Sequence, residues 1–273
     1  MLNDAEFALV SREVKQRSGA VLTREMGGAV AMRLQPVARR ENFASAPELI
    51  AAARIRPDGA LWGAITDALL QSDTRFFRDR AVFARLREDI LPAALQRRGH
   101  ERVRIWSAGC STGQEAYSIA MMIEEMRSDG LNPAVELVAT DYSERLLDKA
   151  RSGLYTQFEV QRGLPIRKLI AHFEKGGDLW RISDRLRASV RFEAHNLLTH
   201  AEALGQFDVI LLAHVLPAFD AGVRREIVLR LAETLTRDGV LMLGAGETLP
   251  DGCEGLVCAD GVVRKAAGAR AAA

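Results

Sequence analysis

Apolar positions recur at helical spacing through the first eighty or so residues, with Phe7, Val10 and Val14 on one stripe and Gly19 and Gly27-Gly28 as interruptions. No convincing strand intervenes, so this part reads as a small all-helical domain, placed at residues 1–85. From about residue 101 the period changes. Val103-Arg-Ile-Trp106, Val135-Glu-Leu-Val-Ala139, Phe207-Asp-Val-Ile-Leu-Leu212 and Gly239 to Leu243 are short apolar runs of strand length, separated by turn residues and helical periodicity. Strands alternating with helices predict βαβ units and a mostly parallel, doubly wound sheet over residues 86–260, with its ligand crevice beyond the carboxyl ends of the strands. Leu179-Trp-Arg-Ile-Ser183 and Ala188-Ser-Val-Arg-Phe192 break that alternation and predict a small antiparallel appendage at about 176–193. The low-complexity stretch 261–273 has little to bury and is expected to be disordered.

Composition narrows the class of function. The 273 residues carry a formal net charge of +1, which supplies no whole-molecule field for nucleic acid or an anionic membrane. Charge therefore has to act locally: between Arg12 and Arg40 there are seven basic residues against Glu13 and Glu25, a solvated helix face or a docking surface for an acidic partner. No apolar run approaches the ~20 residues needed to cross a bilayer, and the N-terminus has neither a secretory nor a transit pattern. Cys110, Cys253 and Cys258 fit no disulfide framework or zinc spacing, and the histidines lack companion ligands, so no metal site is expected. A cytoplasmic protein that does not insert into membranes and binds no nucleic acid is the simplest reading.

The chemistry gathers after the first strand. Ser107-Ala-Gly-Cys-Ser-Thr-Gly113 is a loop of small residues running into an amphipathic helix, where a ligand can lie against the backbone and meet the unpaired amides of the helix start. Its spacing is neither GxGxxG nor GxxxxGK[ST], which argues against phosphate-centred cofactors and a nicotinamide oxidoreductase. Asp141 closes the second strand, where this architecture sets a carboxylate against ribose hydroxyls; a helix cap is the competing role.

Ser72-Asp-Thr-Arg-Phe-Phe-Arg78-Asp, Trp106 to Ala120, Ala139-Thr-Asp141, Ala150-Arg-Ser-Gly-Leu-Tyr155, Phe158-Glu-Val-Gln-Arg-Gly-Leu-Pro165 and His195-Asn-Leu-Leu198 occur in the order found in CheR-type methyltransferases, which this chain resembles over roughly residues 5–250. The resemblance implies a Rossmann-like α/β domain that binds S-adenosylmethionine and releases S-adenosylhomocysteine. It also implies a small antiparallel β-subdomain and a helical N-terminal domain. The activity it implies is methyl esterification of glutamates on the cytoplasmic domain of a chemoreceptor or related signalling protein. It assigns Thr74 and Arg78 to the methionine end of the cofactor, Glu115 to its amino group, Asp141 to the ribose, Asn196 and Leu197 to the adenine, and Ser72, His214 and Val215 to cofactor binding without a named contact. The guanidinium of Arg78 also suits it to orient the acceptor carboxylate, which makes it the candidate catalytic residue.

One segment departs from the family pattern. Where an Arg-Asn-Val-Leu-Ile-Tyr-Phe-Asp stretch is usual, this chain has Ala213-His-Val-Leu-Pro-Ala-Phe-Asp220, and Ser72 stands in place of asparagine. Ala218 cannot supply a phenolic hydroxyl. A weakly catalytic or non-catalytic CheR-like cofactor-binding regulatory module is therefore the alternative reading.

Overall fold

The computed structural model describes residues 2–55, 59–70 and 73–266, which fall into two compact units. The first unit comprises residues up to Gln71 together with Pro217–Val223. Its helices are α1 (Asp4–Ser18), α2 (Gly27–Arg40), α3 (Ala46–Ile55) and α4 (Ala60–Leu69). Asn3 and Glu6 form a reciprocal capping box that starts α1, and Gly19 ends it in the left-handed conformation. Val10, Val14, Leu34, Leu49 and Ile65 interlock as the core of this unit, each fully buried. The segment Pro217–Val223 joins it through a hydrogen bond from the Val21 amide to the Ala218 carbonyl (2.9 Å) and an ion pair between Lys15 and Asp220 (2.8 Å). Arg33, Arg39 and Arg40 are exposed on α2.

The second unit starts at Ser72, earlier than the boundary at 85 expected from periodicity. The reason is packing: Phe76, Phe83 and Leu86 are buried in the core that also holds Ile105, Tyr117 and Tyr155. Helices α5 (Arg80–Arg85) and α6 (Leu91–Arg98) lead into β1 (Val103–Ala108), α7 (Gln114–Ser128), β2 (Val135–Asp141) and α8 (Glu144–Ser152). After these come β3 (Leu154–Thr156), α9 (Gln157–Gln161), α10 (Ile166–His172), β4 (Phe173–Gly176), β5 (Leu179–Ile182), α11 (Asp184–Ala188) and β6 (Val190–Ala194). The chain closes with β7 (Phe207–Leu212), α12 (Ala221–Glu233), β8 (Leu235–Leu243), β9 (Leu256–Ala259) and β10 (Val262–Lys265).

Seven strands form the main sheet in the order β6-β2-β1-β7-β8-β10-β9. Its first five are parallel, with Val103 to Ala108 in register with Val135 to Thr140, and β10 and β9 turn back antiparallel. Strand β7 is buried at every position, as expected of a central parallel strand covered on both faces. Strand order reverses at β1, which lies between β2 and β7, so the crevice of a doubly wound sheet opens beyond the ends of β1, β2 and β7. The second unit is a Rossmann-like α/β domain carrying a small β-subdomain, and the first, N-terminal unit is helical.

Two sequence expectations need correcting. The small antiparallel sheet has the order β3-β5-β4, whereas Val190–Ala194 pairs in parallel with β2 as the edge of the main sheet. Its alternation is that of a half-covered edge strand, which local pattern does not separate from a hairpin strand. The stretch from 261 is also not wholly structureless: Val262 and Val263 are buried against β8, while residues 267–273 lie outside the described residues. No helix among the described residues is long and apolar enough to cross a membrane.

Candidate active site

The loop after β1 is shaped by its own backbone. Gly109 (φ 75°), Ser111 (φ 53°) and Gly113 (φ 88°) are left-handed, and the amides of Gly109 and Cys110 both donate to the Thr140 carbonyl at 2.8 Å, tying the loop to the end of β2. A Cβ on Gly109 would lie 2.7 Å from Val215 Cγ2, and one on Gly113 would lie 2.9 Å from Ala150 Cβ. Beneath the loop, the Tyr155 hydroxyl donates to the Thr112 carbonyl and the Tyr117 hydroxyl to the Ala150 carbonyl, each at 2.8 Å. Trp106, fully buried, donates its indole N–H to Thr140 Oγ1 at 3.0 Å.

Two carboxylates flank this loop. Asp141 accepts from the Ser111 amide at 2.8 Å and the Ser143 amide at 3.0 Å. The capping residue of α8 is Ser143, whose hydroxyl accepts from the Leu146 amide, and not Asp141. Glu115, in the first turn of α7, accepts from the Ser107 hydroxyl at 2.7 Å. Burial pushes the Glu115 carboxyl up to about 7 against the lowering effect of the Ser107 hydrogen bond; Asp79 and Glu247 add to the rise and Arg78 opposes it. Cys110, in the middle of the loop, has its thiol raised well above the ordinary value by burial and by Asp141 and Glu115, which leaves it protonated and unreactive.

The segment carrying Arg78 is anchored on both sides. Phe76 is fully buried and meets Tyr155 and Phe173 edge-on at ring separations of 5.1 and 5.6 Å. Phe77 adopts a left-handed φ of 46°, and the Ser118 hydroxyl accepts its amide hydrogen at 3.0 Å. Arg78 is half-buried; it donates to the Asp73 carbonyl and lies 3.5 Å from the Asp73 carboxylate. The geometry thus shows an ion pair for Arg78 as well as a field that reaches Glu115. Thr74 is half-buried on the same segment, and Ser72 lies outside the described residues.

His214 is left-handed (φ 60°) and held at two points. Its amide donates to Glu247 Oε2 at 2.9 Å, and its Nε2 is 2.6 Å from Asp79 Oδ2, which also accepts from the Ala245 amide. Glu247 Oε2 takes a second hydrogen bond from the Gly244 amide at 2.7 Å, while its Oε1 is buried with no partner among the described protein groups. Gly244 leaves room for this arrangement: a Cβ there would come within 2.6 Å of Glu247 Oε2, and the carboxylate would have to move. On the far side of β2, Asn196 Oδ1 accepts from the Leu198 amide at 3.0 Å, forming the turn that presents half-buried Leu197.

The structure therefore gathers Arg78, Glu115 and His214 about one charged cluster, sets Asp141 at the end of β2, and places Asn196 and Leu197 just beyond β6. Ser107, Asp79, Gly244 and Glu247 were not singled out by sequence reading. Asp79 had a signal, because it directly follows Arg78 in the recognised motif; Glu247 had only a Gly-Ala-Gly-Glu turn.

These groups fit S-adenosylmethionine. A loop with no room for extra Cβ atoms, a hydrogen-bonded carboxylate at the end of β2 and a buried carboxyl short of positive charge suit a backbone-hugging nucleoside, a ribose and an ammonium respectively.

Comparison with known proteins agrees. A family model described as CheR methyltransferase, SAM binding domain, matches residues 72–259. The chain is 35% identical over 271 residues to chemotaxis protein methyltransferase 1 of Pseudomonas aeruginosa, covering 96% of this chain and 98% of that one. It is 33% identical to chemotaxis protein methyltransferase Cher2 of Pseudomonas putida (93% and 94% covered) and 32% identical to the chemotaxis protein methyltransferase of Vibrio parahaemolyticus (97% and 98%). The chain therefore belongs to the CheR methyltransferase family, and its α/β unit is an S-adenosylmethionine-dependent methyltransferase domain.

Proposed function

We propose that this protein transfers the methyl group of S-adenosylmethionine to glutamate side chains on the cytoplasmic domain of chemoreceptors, giving methyl esters. The observation that carries this reading is the pair of carboxylates, Asp141 and Glu115, held on either side of the Gly109–Gly113 loop. In this reading Asp141 accepts both ribose hydroxyls and Glu115 the ammonium. Thr74 and Arg78 hold the methionine carboxylate end, and Ser72 is assigned to cofactor binding by the family pattern alone. Asn196 and Leu197 border the adenine, Val215 closes the side nearest Gly109, and His214 lies at Gly244.

S-adenosylmethionine supplies an electrophilic methyl group on a cationic sulfur. A glutamate carboxylate is already ionised at neutral pH, so this chain needs no general base for it. What the residues must do is hold both partners in line and keep water out. Orientation alone is worth about 7–11 kcal/mol of a barrier when reacting atoms are held at near-attack distance. The left-handed Phe77, fixed by Ser118 and by the buried Phe76, is how the fold aims Arg78, and left-handed strain of about 1–3 kcal/mol is characteristic of such positions.

A second reading rests on Ala218, which has no hydroxyl and whose carbonyl is engaged by Val21 in the helical unit. In that reading the protein binds cofactor and regulates with little turnover. One experiment separates the two: titrate S-adenosylmethionine by calorimetry, then measure transfer of labelled methyl to chemoreceptor cytoplasmic fragments as base-labile methanol. Micromolar binding with ester formation supports the enzyme, binding without ester supports the regulatory module, and absence of binding refutes both. In the same assay Ala218→Tyr is expected to raise turnover more than cofactor affinity.

A further inference from the structure

Asp73 sits among three guanidinium groups. Its Oδ1 accepts from Arg162 Nη2 at 3.0 Å, its Oδ2 lies 3.5 Å from Arg78 Nη2, and the charge of Arg75 also acts on it. The Arg162 hydrogen bond is the largest of the influences that hold the Asp73 carboxyl below its ordinary range. The Asp73 side chain is nevertheless 64% exposed, so this carboxylate lies in water at the lip of the segment that carries Arg78.

The juxtaposition is built by the backbone. Gly163 (φ 89°) packs so closely on the Phe76 carbonyl that a Cβ would come within 2.0 Å of its oxygen, and this fixes Arg162 beside Asp73. The Arg162 guanidinium also lies 5.5 Å from the centroid of the Phe158 ring, which is 67% exposed. An exposed aromatic with an arginine over its face is a surface for a chain with apolar and acidic side chains. Further along, Ile166 and Ile170 are exposed on one side of α10.

We propose that Arg162, together with Arg78, receives the acceptor carboxylate of the partner protein, and that Asp73 holds this place in the free protein as an internal stand-in. The proposal rests on the reading of the protein as a carboxylate methyltransferase. Two guanidiniums on one carboxylate is the arrangement an incoming glutamate requires, and the carboxylate already there comes from a side chain that can swing into water. Phe158 then bears on the apolar flank of the acidic segment that brings the glutamate. No part of the cofactor assignment uses Arg162, so its role is separable from cofactor binding.

The test uses the full chain and a chemoreceptor cytoplasmic fragment with glutamate at its methyl-accepting positions, beside the same fragment carrying glutamine there. Arg162→Ala should raise KM for the glutamate fragment about 5-fold, as expected for losing one charge-assisted contact at a partly exposed site. Its affinity for S-adenosylmethionine should stay within about twofold of the parent, and Arg162→Lys should recover part of the loss. Asp73→Asn should act in the opposite direction and lower that KM, because the internal competitor has lost its charge. If Arg162 merely braced the Arg78 segment, Arg162→Ala and Asp73→Asn would both weaken cofactor binding, and that result overturns the proposal. An unchanged KM in Arg162→Ala overturns it as well.

Binding of the two fragments to the protein saturated with S-adenosylhomocysteine keeps this idea distinct from the catalytic reading. Arg162-dependent preference for the glutamate fragment without ester formation would leave the carboxylate site standing and remove the enzyme. Absence of any such preference would remove the site even if esters form.

Discussion

Glu115→Gln is the sharpest perturbation of the site. Glutamine keeps the shape of the side chain and can still accept the Ser107 hydroxyl, but it removes a carboxyl that burial raises from 4.5 to about 7. A raised carboxyl binds more protons in the folded chain than in the unfolded one. Its ionisation therefore costs stability progressively as pH rises from about 4.5 to about 7, and the cost is complete above the folded value. The difference between those two values, at about 1.4 kcal/mol per pH unit, is on the order of 3 kcal/mol.

Glu115→Gln should thus gain stability over the parent by up to about 3 kcal/mol between pH 4.5 and pH 8. It should at the same time bind S-adenosylmethionine more weakly. Losing a charge-assisted hydrogen bond to a buried ammonium is worth about 1.5–3 kcal/mol, or roughly 10- to 150-fold in Kd. In the parent, ammonium binding requires ionised Glu115, so Kd should rise about tenfold per pH unit below about 7, with a proton released on binding; the glutamine variant should show neither effect. Calorimetry in buffers of different ionisation enthalpy reads both the affinity and the proton count, and urea melts across the same pH range read the stability. A variant that binds as tightly as the parent, or retains its proton release, would refute the assignment of Glu115 to the cofactor ammonium.

Asp141→Asn removes the charge from an oxygen pair that also holds the Ser111 amide, and a drop of about 10-fold or more in cofactor affinity with little loss of Tm is expected by equilibrium dialysis and thermal melts. Gly109→Ala must fit a Cβ 2.7 Å from Val215 Cγ2 on a residue at φ 75°; it should lose about 1–3 kcal/mol by chemical denaturation and weaken cofactor binding, and an unaffected variant would mean the loop is not rigid. Asp208→Ala, away from the site, strips buried Asp208 from Arg98 (3.0 Å) and from the Arg104 amide (2.9 Å); a loss of about 2–4 kcal/mol with cofactor affinity unchanged in the folded fraction is expected from denaturation and calorimetry together.

The sequence alone determined the division into a helical part and an α/β part, because helical and strand periods differ and each is recorded in the chain over many turns. A local pattern also marked Asp141, since an acid closing the strand that follows a small-residue loop is legible in a short window, whereas Glu115 was singled out only by the family resemblance. Tertiary structure decided the rest. Whether Val190–Ala194 is a hairpin arm or the edge of the main sheet depends on which strand it meets, and that partner, β2, lies about fifty residues away in the chain. The boundary at Ser72 rather than residue 85 was set by Phe76 entering a core most of whose members, such as Ile105, Tyr117 and Tyr155, are distant in sequence. Glu247 and His214 converge because β7 and β8 run side by side and end at one rim, and Asp79 reaches them from the segment before α5. Arg162 reaches Asp73 only because a glycine lets two backbones touch. Local pattern fixes which groups a chain owns; long-range packing fixes which of them share a site, because no short window of sequence contains both partners.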